Sequence, residues 1–376
     1  MIWLLLGTLI PSFLVAWAAC FVVRRKAARW GLVDEPGERK VHTRTTPLGG
    51  GLAIWLGVML PLISLSVLVF SFTDAASSSS LGSWLPEFAR PHLAGLQSQL
   101  GSLWLLLALG TLVMLLGLAD DLRGLPWQIR LGAEFLVAAT VVFWQGWRLT
   151  AFVDWPLVTG VASVLWIVWL INSFNMLDNM DGLSGGVAAI AAAMLAAVLL
   201  AAPDPTTNQP QLFVGGLLLV LVGALSGFLW HNRPPARLFM GDAGSYFVGF
   251  LIAVATLLAT FSGGQAPRHA ILAPLCVLAI PLYDTVSVLW IRFREGRSPF
   301  VGDKSHFSHR LVDLGMTKSQ AVLTIYLATA TCGLGAFLLH QVNAAGAVIV
   351  LTMVACTLGL VAVLERTARR KVRNRD

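Results

Sequence analysis

Charge is scarce in this sequence. Asp, Glu, Lys and Arg make up 12% of its 376 residues, against 57% hydrophobic. Soluble globular chains are about one quarter charged, so the composition excludes an ordinary soluble enzyme and points to a polytopic membrane protein, in line with a mean hydropathy of +0.76. Cysteine is scarce too. Cys20, Cys276, Cys332 and Cys356 sit in apolar runs without CxxC spacing, which argues against a disulfide framework or a thiolate metal site. No basic residue precedes the first apolar run, Met1 to Val23, and Arg24, Arg25 and Lys26 follow it. That order is the reverse of a cleaved signal peptide, so the run reads as a retained first span. There is no tandem repeat and no separate soluble domain, so 1–376 reads as one membrane domain.

A span needs about 20 mostly apolar residues. On that measure eleven spans are expected, near 1–23, 48–71, 101–119, 129–146, 157–172, 184–202, 212–230, 244–262, 269–291, 320–340 and 344–364, an all-α fold. The fifth is short and the fourth carries Glu134. With eleven spans, 23 of the 26 basic residues fall on one side and only Arg90, Arg148 and Arg268 on the other. The positive-inside rule then puts the N-terminus outside and the C-terminus, with its basic tail 365–376, in the cytoplasm. The net charge of +7 is accounted for by this topology and by contact with membrane lipids, without nucleic acid.

The unusual polar stretches all fall on the cytoplasmic side. In 34–51, DEPGERKVHTRTTPLGGG, the cations Arg39, Lys40, His42 and Arg44 precede a Pro–Gly turn. This reads either as an anion site at the start of the second span or as a basic loop with glycines packed on a neighbouring helix. Asp120 and Asp121 end the third span, where the helix dipole disfavours negative charge, so an arginine or a cation should offset them; Arg123 and Arg130 follow. In 172–186, NSFNMLDNMDGLSGG, Asn175, Asp178 and Asp181 recur at three-residue spacing and share a face if the helix continues. Their oxygens suit a hard cation such as Mg²⁺, whereas capping and turn formation are the structural reading. In 232–245, NRPPARLFMGDAGS, Asp242 stands between glycines where it can cap the eighth span or hold a metal near a phosphate. Asn232 and Phe239 are candidates to bond and stack on a base. The long loop 292–319 carries Asp303, Lys304, His306, His309 and Arg310. With no third histidine or cysteine nearby, cations facing a pyrophosphate fit it better than zinc does. Asp284, inside the ninth span next to Pro281, is either functional or paired to an arginine. Acids, amides and cations around one membrane face suit Mg²⁺-assisted phosphoryl chemistry on a membrane-bound substrate.

Taken in order, DEPGERKVH…PLGGG, GLADDLRGL, NSFNMLDNMDGLSGG, NRPPARLFMGDAGS and DKSHFSHRL resemble the polyprenyl-phosphate N-acetylhexosamine-1-phosphate transferase family, in particular its undecaprenyl-phosphate N-acetylglucosamine-1-phosphate branch. The resemblance covers about 30–315. It implies a bacterial inner-membrane enzyme that moves a sugar-1-phosphate, GlcNAc-1-phosphate first among them, from a UDP-N-acetylhexosamine to undecaprenyl phosphate. UMP is released and a lipid-linked envelope glycan begins. The cofactor implied is Mg²⁺, with Mn²⁺ as the substitute, and a homodimer is compatible with it. Position by position, it implies that Asp120 and Asp121 are the aspartate pair, the first assisting the lipid phosphate. Arg130 stands where the family often has a phosphate-holding lysine. Asn175 and Asp242 are implied metal ligands, Asp178 and Asp181 the paired active-site acids, and His306 and His309 the histidine loop. Lys40, His42, Asn232, Phe239 and Arg310 are further expected substrate contacts.

Two positions depart from the pattern: Ser308 stands where a further histidine is common, and Asn179 where a glycine is common between the two aspartates. The absence of an HHHFE-like run argues against a muramyl-pentapeptide donor. The implied mechanism is in-line attack of the lipid phosphate on the β-phosphorus; a route through an aspartyl intermediate is the rival. From other classes, an ion or solute transporter would place polar groups near mid-span and on both faces. The aspartate spacing of a CDP-alcohol phosphotransferase is not found.

Overall fold

In an apolar medium every backbone N–H and C=O must be satisfied within the protein, and a helix does this along its own axis. The computed structural model describes residues 1–35, 45–75, 92–149, 155–202, 204, 208–259, 261, 267–300 and 305–373. Lys40 and His42, with Arg39, Arg44, Asp303 and Lys304, lie outside the described residues. Thirteen helices are described: α1 (Ile2–Lys26), α2 (Gly50–Ala75), α3 (Leu93–Arg123), α4 (Trp127–Ala139), α5 (Pro156–Leu177), α6 (Leu183–Ala201), α7 (Leu212–Asn232), α8 (Gly241–Leu258), α9 (Ala273–Val277), α10 (Ala279–Arg294), α11 (Phe307–Asp313), α12 (Lys318–Leu339) and α13 (Ala344–Arg373). Their ends follow local chemistry. Gly124 closes α3 with φ +62, Pro156 opens α5, and a Thr317/Gln320 capping box opens α12. A two-residue antiparallel ladder pairs Val33 with Pro47 and Asp34 with Thr46.

Among the described residues nine helices are long and apolar enough to cross a membrane, and the bent pair Arg268–Val277 and Ala279–Arg294 makes a tenth if it is taken as one broken span. The protein is therefore an all-α polytopic membrane protein. The pair bends by 65° at Leu278. Pro281 has no N–H to give the carbonyl four residues back, so the ninth span breaks where its proline requires it. The expected fourth span falls on α4 and a following π-helical turn, Thr140–Trp144, and is not among the nine.

The centre of the bundle is α8. From Ala243 to Leu257 every residue on it is buried, and it is enclosed by α2, α3 and α5. By contrast, α1 and α13 turn large apolar side chains outward, among them Leu6, Ile10, Leu14, Ile349, Met353 and Leu360, as expected of surfaces that meet lipid. The approach to α8 is backbone against backbone. A Cβ on Gly117 of α3 would stand 2.3 Å from the Asp242 carbonyl oxygen, and one on Gly51 of α2 would stand 2.2 Å from the Gly244 nitrogen. The glycines of the 34–51 stretch therefore serve helix packing.

Replacing Gly117 by alanine should force α3 and α8 apart and cost about 1–3 kcal/mol, the range for overpacking. Gly132→Ala, where a Cβ meets nothing within 4 Å, is the control. Thermal unfolding in detergent should show a lower Tm for the first variant only.

Candidate active site

An α-helix begins with N–H groups that its own carbonyls cannot reach. At the start of α8 these groups are met by carboxylates from two other helices. Asp121, at the end of α3, accepts from the Asp242 N–H at 2.8 Å and from the Ala243 N–H at 3.1 Å. Asp178, just past the end of α5, accepts from the Gly241 N–H. Gly241 has φ +72, and a Cβ there would lie 2.6 Å from an Asp121 oxygen, so only glycine lets the cap close. The start of α2 is joined to the same point, because its Gly50 and Gly51 N–H groups donate to the carbonyls of Phe239 and Met240 at 2.8 and 2.9 Å. Of the two readings of this stretch, the glycines serve the structural one as a backbone splice, while the cations of the expected anion site lie outside the described residues.

Asp120 precedes the capping aspartate and faces the other way. It is 6% exposed. Its Oδ1 accepts from the Leu125 N–H at 2.7 Å, and its Oδ2 accepts from Arg130 at 2.7 Å and from the Tyr246 hydroxyl at 3.0 Å. Arg130 also lies 3.2 Å from that hydroxyl, and its side chain is 28% exposed. The offset that two acids at a helix C-terminus require is an arginine for one and a helix N-terminus for the other. The Asp242 carboxyl meets that of Asp120 and accepts from the Asn175 amide at 2.6 Å; the same amide reaches Ser245 at 3.1 Å. Burial, reinforced by the nearby carboxylates of Asp121 and Asp178's other neighbour Asp181, pushes Asp178 up to about 7, against the opposing bond from the Gly241 N–H.

The structure thus brings Asp120, Asp121, Arg130, Asn175, Asp178 and Asp242 to one place. Other expected contacts are placed differently. Asn232 is 4% exposed; its Oδ1 accepts from the Gly182 N–H and its Nδ2 donates to the Leu238 carbonyl. The amide is a clamp between two loops, which corrects its expected role of bonding a base. Asp181 accepts from the Ala236 N–H at 2.9 Å and so ties the α5–α6 turn to the α7–α8 loop. His306 and Arg310 are buried and are held by Asp284. Its Oδ2 lies 2.9 Å from His306 Nδ1, its Oδ1 accepts from the Phe307 N–H at 2.7 Å, and Arg310 stands 3.8 Å away. These two side chains therefore satisfy a buried carboxylate, a correction to their expected place over a pyrophosphate. His309 and Phe239 are partly exposed.

Sequence reasoning missed Tyr246 and Glu134 as members of this network. Tyr246 lies four residues after Asp242, on the same helix face, so spacing alone could have flagged it. Glu134 lies one turn after Arg130, is 1% exposed and accepts from Asn172 at 2.5 Å; its partner is 38 positions away and left no local signal. Among the described residues no three of His, Cys, Asp and Glu converge as a metal cluster. The donors that do meet, Asp120, Asp242 and Asn175, offer only hard oxygen and amide groups. Mg²⁺ needs one or two carboxylates together with substrate phosphates, so these residues fit that ion.

A family model described as "Glycosyl transferase family 4" matches residues 103–260. The chain is 30% identical over 352 residues to a protein of Mycolicibacterium smegmatis named decaprenyl-phosphate N-acetylglucosaminephosphotransferase, covering 88% of this chain and 80% of that one. It is 30% identical over 334 residues to the undecaprenyl-phosphate alpha-N-acetylglucosaminyl 1-phosphate transferase of Yersinia pestis, covering 86% and 80%. It is also 27% identical over 309 residues to a Bacillus subtilis protein named probable undecaprenyl-phosphate N-acetylglucosaminyl 1-phosphate transferase, covering 81% and 76%.

The raised Asp178 carboxyl has a consequence for stability. The fold disfavours its charged form, so stability is lost as pH rises from the ordinary carboxylate value of 3.8 through about 7. In magnesium-free buffer, Asp178→Asn should gain Tm relative to the unsubstituted chain across that interval, with the difference constant above it. Thermal unfolding at a series of pH values checks this.

Proposed function

The chain belongs to the polyprenyl-phosphate N-acetylhexosamine-1-phosphate transferase family, and on that premise we propose that it transfers GlcNAc-1-phosphate from UDP-GlcNAc to undecaprenyl phosphate. The observation that carries the reading is the meeting of Asp120, Arg130, Asn175, Asp178 and Asp242 at the start of α8. Four helices bring these groups to one end of the bundle, where a phosphate anchored in the bilayer and a nucleotide sugar from the cytoplasm can both arrive.

In this reading Arg130, held by Asp120 and Tyr246 yet partly exposed, receives the lipid phosphate. Asp120 and Tyr246 fix the guanidinium before substrate binds, so the attacking oxygen is oriented without a reorganisation cost. A lipid phosphate oxygen attacks the β-phosphorus of the UDP-sugar. The bond from that phosphorus to the bridging oxygen breaks, and UMP departs with the electron pair. Asp242 and Asn175 would hold Mg²⁺, which supplies charge neutralisation of a diphosphate when bound. Both oxygens of Asp121 accept helix N–H groups, which favours a single displacement over an intermediate on that residue.

Topology belongs to the same reading. The ends of α3 and α5 share the site, so the chain between them must cross the bundle and return. The helical stretch Trp127–Trp144 has a length of roughly 27 Å, close to the hydrocarbon thickness of about 30 Å. It supports eleven crossings, an external N-terminus and a cytoplasmic site in the bacterial inner membrane.

Membranes containing the chain, given UDP-GlcNAc, Mg²⁺ and undecaprenyl phosphate, should release UMP. Absence of UMP with this and every other UDP-N-acetylhexosamine overturns the reading. Asp242→Asn should abolish release while the protein stays folded. Tyr246→Phe should leave the KM for UDP-GlcNAc near that of the unsubstituted chain and raise the KM for the lipid about tenfold, as expected for one lost charge-assisted hydrogen bond.

A further inference from the structure

Two of the positions at which this chain departs from the expected family pattern are bonded to each other. Ser308 Oγ, on α11, donates to Asn179 Oδ1, in the α5–α6 turn, at 2.5 Å and across 129 positions of sequence. The Asn179 amide nitrogen donates to the Met176 carbonyl at 2.8 Å, and that bond sets which end of the amide faces Ser308. Ser308 is 1% exposed. A glycine at 179 would have no side chain to accept this bond.

Each partner adjoins a candidate site residue. Asn179 follows Asp178, and Ser308 precedes His309. On its far side α11 is fastened to α10 by Asp284, through His306 and the Phe307 N–H, and by the bond from Arg310 to Ser287 at 2.7 Å. The short helix is therefore held between α10 and the Asp178–Asp181 turn, and the Ser308–Asn179 bond is a side-chain tie to that turn. Removing it leaves Asp178 on α5's end and His309 on α11 without this link. Asp120 and Arg130, the proposed phosphate holders, lie on α3 and α4, which the bond does not touch.

We propose that Ser308 and Asn179 form a clasp that sets the separation of Asp178 from His309 and so the fit of the UDP-N-acetylhexosamine between them. The clasp acts on the donor and not on the lipid. Both residues are positioning residues, acting through their neighbours. The proposal rests on the transferase reading above.

The test is a double-mutant cycle in the purified full chain, with Asn179→Gly, Ser308→Ala and both together, read by steady-state kinetics and by thermal unfolding. Each single change should raise the KM for UDP-GlcNAc about three- to tenfold, the range for one lost hydrogen bond. The KM for undecaprenyl phosphate should stay within about twofold. The double variant should be no worse than the worse single, because both remove one interaction. Additive effects on Tm mean that the bond does not form, and overturn the clasp. Non-additive Tm with equal changes in both KM values, or in kcat alone, overturns its role on the donor side. An unsubstituted chain that releases no UMP overturns the transferase reading and the donor role with it, while the Tm cycle still reports whether the bond exists.

Discussion

The structure depends on how the N-terminus of α8 is satisfied. The helix lies at the centre of the bundle, and its first N–H groups have no partner within their own helix. A buried backbone group left without a partner is costly. Carboxylates from the ends of α3 and α5 fill that need at Gly241, Asp242 and Ala243. The same bonds settle three other features. They fix where α3 and α5 end relative to α8, and they place negative charge where the helix dipole favours it. They also require glycine at 241, where an Asp121 oxygen comes too close for a Cβ.

From that cap the site follows. Because Asp121 is committed to the helix, its neighbour Asp120 points away toward Arg130 and Tyr246. Adjacent aspartates thus have different occupations, one structural and one facing the partly exposed arginine. Asp242, lifted into place by the capped helix, meets Asp120 on one side and Asn175 on the other. The rest of the polar inventory secures these parts. Asn232 and Asp181 tie two loops together, and Asp284 with His306 and Arg310 secures α11.

Much of this was legible in the chain itself. Apolar runs located nine of the eleven expected spans, and Pro281 announced the bend in the ninth. The fourth stood apart because Glu134 and Arg130 dilute its apolar run, and the structure shows those residues turned to polar partners. The motifs also named most of the groups that converge at α8. Their division of labour was not legible. Asn232 and Asp181 have the chemistry of ligand contacts, and only their partners show that they hold loops. His306 and Arg310 look like free cations until Asp284, more than 20 positions earlier, is seen between them. The 34–51 stretch leaves Lys40 and His42 outside the described residues.

The sequence by itself determined that the protein is a helical membrane protein, and it led to the expectation that its polar segments gather on one face. Hydropathy and charge are local properties, and the positive-inside rule reads them loop by loop. Tertiary structure decided which acid caps, which faces the arginine and which meets the amide. Asp121 and Asp242 are 121 positions apart, Asn175 and Asp242 are 67 apart, and Asn179 and Ser308 are 129 apart. No residue type declares its partner over such distances. The pairing is set by where glycine-lined helices allow backbones to meet and by the rule that every polar group carried inside must find a partner there.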